Sequence, residues 1–543
     1  MTSTSQPAET APQTADPTGT PASATPGLDL DLSAVQDVAT ILADWLEAWR
    51  LSRGQSGVQA AIWFDGELVT EVAVGDADLA RGIPLETTHR LRIASHSKMF
   101  TALAIMRLVE QGKLRLDDTV GERVPALADA KVADRTVRDL LSHSAGISRD
   151  SKDASWWALR APFADRERLL EIVREDEVVA ADAGVHLQYS NIGYGILGLI
   201  IEEATGKSFD DAVTELVIDP VGVADIGPDL PSDATGPEDP HGFALGHTSA
   251  VFGERRPVEQ IPTNALAAAT GFWARAGAIA SFAGKVFTQD ALLEPGSMRE
   301  LRRRVWTVSD TDGYGLGVDV GSIHGFTVIG HSGGFPTGLT RTWAVPDQRL
   351  AVSVLGTSND APTSELAAGL LGLLALAAGR PPADAGRFEG PGALGGAGNG
   401  RPRPKELSEQ DGVTVEDTDL TARDVADIIE GAYDCLWGRS RIVRIGQRLF
   451  EVAAAGPNPT AGAVELAVVG TRPDPIEDGV TCVELAAWGD SGFGTWAEPM
   501  LARIVPSEPT EAARELRCAG IFSTGQLSVP SAEFEVPERV TAP

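Results

Sequence analysis

Predicted strands lie at both ends of the first large unit of this chain, and predicted helices fill its middle. Residues 58–64 and 67–74 alternate in hydrophobicity like two strands and are joined at Asp65-Gly66, a strong hairpin turn. Short helices and loops dominate between about residues 117 and 260. Four further strands are predicted after them, over residues 314–320, 327–329, 340–344 and 351–355. This order favours an α+β fold, in which both ends of the unit contribute to one antiparallel sheet with helices on its faces.

Three helices are predicted from apolar residues at helical spacing. The first covers residues 35–49, and the second follows Ser95 and ends at Gly112. The third is the apolar stretch 366–379, with Thr363 and Ser364 as candidate N-caps. Because crossing a bilayer takes roughly 18–20 apolar residues, this stretch is predicted to be a buried helix, and no membrane association is expected.

A chain of 543 residues is longer than one ordinary hydrophobic core, so at least two folded units are expected. Residues 1–32, rich in Thr, Ser, Pro and Ala, are predicted to be a disordered tail, and residues 33–380 the first domain. The Gly- and Pro-rich segment 381–406 is predicted to be a linker. Residues 407–543 are predicted to form a small β-rich domain, with strands at 441–452, 463–469 and 481–487.

The composition excludes several classes of partner. A formal net charge of −32 repels polyanions, so no nucleic-acid partner is expected. No cluster of His, Cys or carboxylates at metal-ligand spacing occurs in the sequence, and no glycine-rich phosphate loop precedes a helix, so no metal or nucleotide cofactor is implied. The absence of a basic and apolar secretory segment predicts a cytoplasmic location, with reduced thiols at Cys435, Cys482 and Cys518.

Ser95 and Lys98 form the first of three motifs with chemical meaning. Residues three apart on a helix share a face, so Lys98 can reach the Ser95 hydroxyl. Serine is a poor nucleophile until a base takes its proton, and a partly desolvated lysine can have its pKa lowered enough to do so. The N-terminus of a helix also favours negative charge that develops at the serine. Alone, the match is weak, because a capping serine followed by a surface lysine gives the same pattern.

Two further motifs follow in order along the chain, Tyr189-Ser190-Asn191 and His331-Ser332-Gly333. They are the only Tyr-x-Asn and His-x-Gly matches, and of the seven lysines only Lys98 has a serine three residues before it. Taken alone, Tyr189 would be a core or surface tyrosine, and Asn191 the N-cap of the next helix. Three ordered motifs together favour a functional site.

The three motifs resemble those of the serine β-lactamase and penicillin-binding-protein superfamily, specifically its class C-like branch of D-aminopeptidases, esterases and DD-carboxypeptidases. The phrases at residues 140–147, 189–198 and 331–336 support the resemblance, which covers about residues 51–379. It implies a β-lactamase/transpeptidase-like antiparallel sheet flanked by helices, followed here by the small β-rich domain. It also implies a cofactor-independent serine hydrolase that acts on a small-molecule or short-peptide substrate, and it leaves the oligomeric state open.

The resemblance further implies roles for individual residues. Ser95 would be the nucleophile, Lys98 would share in its activation, and Tyr189 would act as base and then as acid for the leaving group. His331 stands where β-lactamases have a lysine. The backbone N–H groups of Ser95 and Gly334 would form the oxyanion hole.

Substrate contacts are expected from four residues around these groups. Asn191 would orient Lys98 and the acyl side chain of the substrate. The strand edge that carries the third motif would bind substrate through Ser332, Gly333 and Gly334, because glycine leaves the backbone unshielded, although both glycines could also be turn residues.

The third motif bears on the substrate class. Lys-Thr-Gly suits β-lactamases, whereas His-x-Gly is typical of D-aminopeptidases and some DD-peptidases, so a β-lactamase is the weaker alternative. The additional β-rich domain resembles the extended D-aminopeptidase architecture, in which an accessory barrel can narrow the active site. Amides of D-amino acids or short peptides are therefore the first expectation, and carboxylic esters the second.

Two rival interpretations come from the same residues. The run Gly330-His331-Ser332-Gly333-Gly334 matches the Gly-x-Ser-x-Gly elbow of α/β-hydrolases, with Ser332 as nucleophile. Those enzymes need a histidine after the serine, and none follows His331. A non-catalytic penicillin-recognising binding protein would keep the fold without turnover, although the polar groups needed for catalysis are present. His143, within residues 140–147, is expected to have a structural hydrogen-bonding role.

Overall fold

The computed structural model describes residues 30–379 apart from 153 and 310, and then the segments 422–435, 438–445, 448–453, 464–473, 481–488, 500–503, 515–518 and 521–525. The predicted linker 381–406 and nearly all of the predicted tail lie outside the described residues. The last residues assigned to the tail belong to the folded part. Leu30 is buried and donates its N–H to Gln348 Oε1 (2.9 Å), and Asp31 caps the first helix.

The helices are numbered in chain order. They are α1 (Leu32–Arg53), α2 (Ser97–Glu110), α3 (Val120–Arg123), α4 (Val137–Leu141), α5 (Arg166–Arg174), α6 (Asn191–Thr205), α7 (Phe209–Val213), α8 (Asp219–Val221), α9 (Ala267–Thr270), α10 (Ala276–Thr288), α11 (Pro295–Leu301), α12 (Thr363–Ala377) and α13 (Ala422–Ile429). A π-helical turn covers Thr214–Ile218, and 3₁₀ turns cover Ala94–His96, Pro125–Leu127, Ser155–Ala158, Asp176–Val178, Ala250–Phe252, Asn264–Leu266 and Pro346–Gln348.

A nine-stranded antiparallel sheet forms the centre of the first unit, in the order β3-β2-β1-β14-β13-β12-β11-β10-β9. The strands of this unit are β1 (Gly57–Phe64), β2 (Glu67–Asp78), β3 (Ile83–Pro84), β4 (Leu91–Arg92), β5 (Ile226–Gly227), β6 (Gly246–His247), β7 (Pro257–Val258), β8 (Trp273–Ala274), β9 (Trp306–Thr307), β10 (Asp312–Tyr314), β11 (Asp319–Ile323), β12 (Phe326–Phe335), β13 (Gly338–Val345) and β14 (Leu350–Gly356). The first strand pairs with the last, from Val58 opposite Gly356 to Phe64 opposite Leu350. The predicted α+β class, with one sheet built from both ends of the unit, is therefore confirmed.

The sheet separates two hydrophobic cores, and β1 shows why. Its side chains alternate between the faces, so Ala61 and Trp63 enter the larger core while Ile62 and Phe64 enter the smaller one. Helices α1 and α12 cover the smaller core, and α2, α6 and α10 contribute to the larger one. β1 is buried along its whole length, and residues 57–64 are apolar apart from Gln59, so they do not show the alternation predicted from the sequence.

Two details differ from the sequence-based prediction. Residues 314–320 do not form one strand, because the chain turns between β10 and β11. Gly317 lies in this turn with φ 77°, and a Cβ there would lie 2.6 Å from Ala102 Cβ and 2.9 Å from the carbonyl oxygen of Lys98. The predicted N-caps of α12 are also wrong, since Pro362 occupies the cap position and Thr363 is already helical.

The C-terminal part is a closed barrel of antiparallel strands, in the order β15 to β22. These strands are β15 (Gly431–Cys435), β16 (Gly438–Ile445), β17 (Arg448–Ala453), β18 (Val464–Pro473), β19 (Thr481–Trp488), β20 (Met500–Arg503), β21 (Glu515–Cys518) and β22 (Ile521–Gly525). Val425 and Ile429 of α13 share its core, and Cys482 of β19 is fully buried. The predicted β-rich domain is confirmed, although the strand predicted over 441–452 proves to be β16 and β17.

Within the part of the chain that the structure describes, no helix combines the length and the apolar character needed to cross a membrane.

Candidate active site

Ser95 lies in the 3₁₀ turn immediately before α2, partly exposed among buried neighbours. The residue before it, Ala94, has φ 47°, which is a strained backbone conformation for a residue with a Cβ. Such strain persists only where the surrounding structure enforces it. The turn therefore presents the Ser95 hydroxyl at the surface while its backbone stays packed at the start of α2.

Lys98, one helical turn later, is fully buried and points back to the serine. Its Nζ lies 3.3 Å from Ser95 Oγ, and it donates to Asn191 Oδ1 (2.8 Å) and to the carbonyl oxygen of Ala269 (2.9 Å). Burial, reinforced by repulsion from Arg149, holds the pKa of Lys98 well below its usual value. A neutral amine has two N–H groups, which suit the two carbonyl oxygens and leave its lone pair for the Ser95 hydroxyl.

Asn191 is held in one orientation by Asp150. The Asn191 amide donates from Nδ2 to both carboxylate oxygens of Asp150 at 3.1 Å, so its Oδ1 faces Lys98. The alternative of Asn191 as helix N-cap is wrong, because Ser190 caps α6 by accepting from the Gly193 N–H (2.8 Å). Asp150 is a site residue that the motifs do not include, and it carries no signal in the sequence beyond lying a few residues after the phrase 140–147.

Tyr189 is buried beside the same lysine. Lys98 Nζ lies 4.6 Å from the centre of the Tyr189 ring. Burial raises the pKa of the Tyr189 phenol, while its hydrogen bond with Ser95 and the positive charge of Arg149 act in the opposite direction. The phenol is therefore held in its neutral, proton-carrying form.

His331 lies on β12 with both ring nitrogens engaged. Its Nδ1 is 2.6 Å from the carbonyl oxygen of Ser332, which can only accept, so Nδ1 carries the proton and Nε2 accepts from the Tyr314 hydroxyl (3.2 Å). Burial and repulsion from Lys98 keep the pKa of His331 well below its usual value. This histidine is neutral, and its ring centre lies 6.5 Å from that of Tyr189.

The third motif lies along an open stretch of strand edge. Strand β11 pairs with β12 only as far as Gly330, whereas β13 pairs with it through Phe335. The backbone of 331–335 therefore has one unpaired edge among the described strands. Gly333 is required here because a Cβ would lie 2.1 Å from the carbonyl oxygen of Ile93, just before the 3₁₀ turn that carries Ser95.

The same strand argues against the elbow interpretation of Ser332. A nucleophile elbow is a sharp turn from a strand into a helix, whereas Ser332 lies inside β12 and pairs with Arg341 of β13. The structure thus brings together Ser95, Lys98, Tyr189 and Asn191, with the His331 strand beside them.

The chain belongs to the β-lactamase family. The family model described as Beta-lactamase matches residues 35–377, which confirms the resemblance drawn from the motifs.

Three proteins from different bacteria are similar to this chain in sequence. Penicillin-binding protein 4 of Amycolatopsis lactamdurans is 33% identical over 199 residues, which are 33% of this chain and 48% of that protein. A D-aminopeptidase of Cereibacter sphaeroides is 27% identical over 390 residues, 67% of this chain and 68% of the relative. Esterase EstB of Burkholderia gladioli is 31% identical over 189 residues, which are 32% of this chain and 46% of the esterase. This chain thus spans about half the length of the first and third, and about two thirds of the second.

Two solved structures have the same fold as this chain. The octameric penicillin-binding protein homologue from Pyrococcus abyssi has a TM-score of 0.55 at 21% identity, covering 89% of this chain and 99% of its own. The D-amino acid amidase from Ochrobactrum anthropi SV3 has a TM-score of 0.53 at 21% identity. The match covers 63% of this chain and 98% of the amidase. At these identities the likeness establishes the fold.

Proposed function

We propose that this protein is a serine hydrolase that forms an acyl-enzyme on Ser95 and cleaves amides of D-amino acids or short peptides. The observation that carries the proposal is the position of Lys98. Its buried amine, with a lowered pKa, lies 3.3 Å from the Ser95 hydroxyl and is anchored by two carbonyl oxygens. That geometry supplies the base a serine nucleophile needs.

In the acylation step, the Ser95 proton passes to the neutral amine of Lys98 while Oγ attacks the substrate carbonyl carbon. The Tyr189 phenol, hydrogen-bonded to Ser95, then gives its proton to the leaving amine as the carbon–nitrogen bond breaks, and it is reprotonated from Lys98. Water hydrolyses the ester in the second half by the same groups in reverse. This assigns the first proton transfer to Lys98, in place of the Tyr189 base that the family resemblance implies, and the protonation of the leaving group to Tyr189, whose pKa is raised by burial.

The substrate carbonyl oxygen would be bound by the backbone N–H groups of Ser95 and Gly334, and the substrate backbone by the open edge of β12. Ser332 and Gly334 are partly exposed on that strand, while Gly333 is buried. The neutral His331 places no cation in the third motif, which supports substrates without the carboxylate of β-lactams.

The substrate class rests on the relatives as well as on the motif. The D-aminopeptidase relative aligns over two thirds of both chains, and the shorter match to esterase EstB makes a carboxylesterase the second candidate. The barrel bears on this choice, since Cα atoms of β22 come within 8 Å of the 3₁₀ turn Ser155–Ala158, a few residues after Asp150. An accessory barrel so placed would restrict substrates to small ones.

The deciding experiment compares D-alanine p-nitroanilide, L-alanine p-nitroanilide and p-nitrophenyl butyrate, each with the wild type, Ser95→Ala and Ser332→Ala. We expect preference for the D-anilide, loss of at least about 10³-fold in Ser95→Ala, and near wild-type rates in Ser332→Ala. Ester cleavage alone, still dependent on Ser95, would assign a carboxylesterase. Activity that survives in Ser95→Ala would refute the mechanism, and no covalent adduct at Ser95 with any activated acyl donor would assign a binding protein.

The proposed substrates are therefore small molecules or short peptides, without a nucleic-acid partner. The cytoplasmic location and the domain boundaries at 380 and 406 remain predictions from the sequence.

A further inference from the structure

His143 lies behind the proposed acid, outside the three motifs. It is 1% exposed, and its ring centre lies 4.2 Å from that of Tyr189, with the Tyr194 and Tyr314 rings at 5.1 and 5.0 Å. A histidine inside a cluster of tyrosines, next to a group that must move a proton, calls for an explanation.

The same histidine holds the backbone on both sides of Tyr189. The N–H of Gln188 donates to the His143 carbonyl oxygen (2.8 Å), and the N–H of Ser190 donates to His143 Nδ1 (3.1 Å). His143 has φ 57°, an uncommon conformation for a residue with a large side chain. One residue thus accepts hydrogen bonds from both neighbours of Tyr189.

These contacts fix the protonation state of His143. Because Nδ1 accepts, the proton lies on Nε2, and Nε2 is buried without a hydrogen-bond partner among the described residues. Burial and repulsion from Lys98 hold the pKa of His143 well below its usual value, so the ring stays neutral. A buried N–H without a partner is unfavourable, so hydrogen bonding at Nε2 does not account for the ring's position.

We infer that His143 is a positioning residue for the proposed acid–base step. Its carbonyl oxygen and Nδ1 accept hydrogen bonds from the backbone on both sides of Tyr189, so that the Tyr189 hydroxyl is held at Ser95, while its ring fills the space behind the phenol. This inference rests on the role proposed for Tyr189. A neutral imidazole suits the position because a cation there would oppose the transfer of the Ser95 proton to Lys98.

Two substitutions separate the backbone contact from the ring contact. His143→Asn keeps an acceptor one bond from Cγ, as Nδ1 is, and Asn tolerates positive φ, but it lacks the ring. His143→Phe keeps a ring and removes the acceptor. We expect kcat per active serine to fall roughly 10- to 100-fold in His143→Phe and to be largely restored in His143→Asn, with KM little changed in both.

Active serine is counted by labelling Ser95 to completion with a fluorophosphonate, and stability by the melting temperature. If His143 had only a folding role, both variants would keep the wild-type kcat per labelled serine and would differ only in labelled fraction or melting temperature. That result would overturn the inference, as would an Asn variant no better than the Phe variant.

A double-mutant cycle with Tyr189→Phe tests the route of the effect. If His143 acts through the Tyr189 hydroxyl, His143→Phe should lower kcat little further in a chain that already carries Tyr189→Phe. The loss of kcat in the double variant should then be smaller than the product of the two single losses. Independent losses would refute the inference but leave the proposed function standing. Full activity in Tyr189→Phe would instead refute the role proposed for Tyr189, and the inference with it.

Discussion

Burial acts on the amine of Lys98 and the phenol of Tyr189 in the same direction, because it favours the uncharged form of each. The neutral amine of Lys98 can take a proton, and the neutral phenol of Tyr189 can give one. The pair therefore suits acylation near neutral pH without a charged base. Burial is the largest cause of both shifts, and the charge of Arg149 adds to the shift at Lys98.

The charge of Arg149 adds to the effect of burial on the lower limit of the active pH range. Repulsion from Arg149 lowers the Lys98 pKa, so Arg149→Gln should raise it, and a larger fraction of the lysine will be protonated at a given pH. The acidic limb of the kcat/KM profile should move to higher pH, with activity at pH 6 several-fold lower and the alkaline plateau unchanged. The measurement is kcat/KM as a function of pH, expressed per Ser95 that the fluorophosphonate labels. Arg149→Lys keeps the charge and should leave the limb in place; an unmoved limb in Arg149→Gln would contradict the assignment.

At the residue level, motif spacing predicts which side chains meet. The structure places Lys98 within hydrogen-bonding distance of Ser95 and Asn191. Asp150 and the Ala269 carbonyl could not be predicted in this way, because each reaches the site through loop and helix packing far along the chain. Their contacts depend on tertiary structure, for which a single sequence carries no local pattern.

Strand β12 shows the limit of periodicity at the level of elements. The sequence predicts only residues 327–329, yet the strand continues to Phe335 through the third motif. Glycine and serine at 330 and 332–334 remove the alternation that marks a strand. At Gly330 and Gly333 a Cβ would lie 2.0 and 2.1 Å from a backbone carbonyl oxygen, so these two positions require glycine. The small residues that bring this strand close to the site are the same residues that prevent its prediction from hydrophobic alternation.

Gly333→Ala tests this close approach. A Cβ at 333 would lie 2.1 Å from the Ile93 carbonyl oxygen, so β12 must shift away from the nucleophile turn. We expect a loss of about 1–3 kcal/mol in the free energy of unfolding, with kcat/KM falling at least tenfold. Chemical denaturation and kinetics measure the two effects. Gly296→Ala is the control, since its Cβ would have only Arg299 Nη2 within 4 Å, at 3.9 Å, and alanine suits a helix; it should be neutral or slightly stabilising. A stable and fully active Gly333→Ala would show that the strand can move freely.

For the whole molecule, the order of strands and helices predicts the central sheet, because its first and last strands pair. The barrel is less predictable. Three strands are expected there, whereas eight close the barrel, and short strands such as Met500–Arg503 gain their identity from long-range pairing. Local sequence patterns cannot specify such a closure.

Net charge is a property of the whole molecule that bears on substrate choice. At −32, the protein attracts cations, and a D-amino-acid anilide carries a protonated amine below the pKa of roughly 8 usual for an α-amino group. Raising the ionic strength from about 0.01 to 1 M shortens the Debye length from about 30 to 3 Å. We therefore expect kcat/KM for D-alanine p-nitroanilide at pH 6.5 to fall several-fold over that range. The neutral ester p-nitrophenyl butyrate, cleaved at the same serine, should show almost no change. Equal salt effects on both substrates would mean that salt acts on the enzyme itself, and no effect on either would mean that the acidic surface plays no part in capturing the amine.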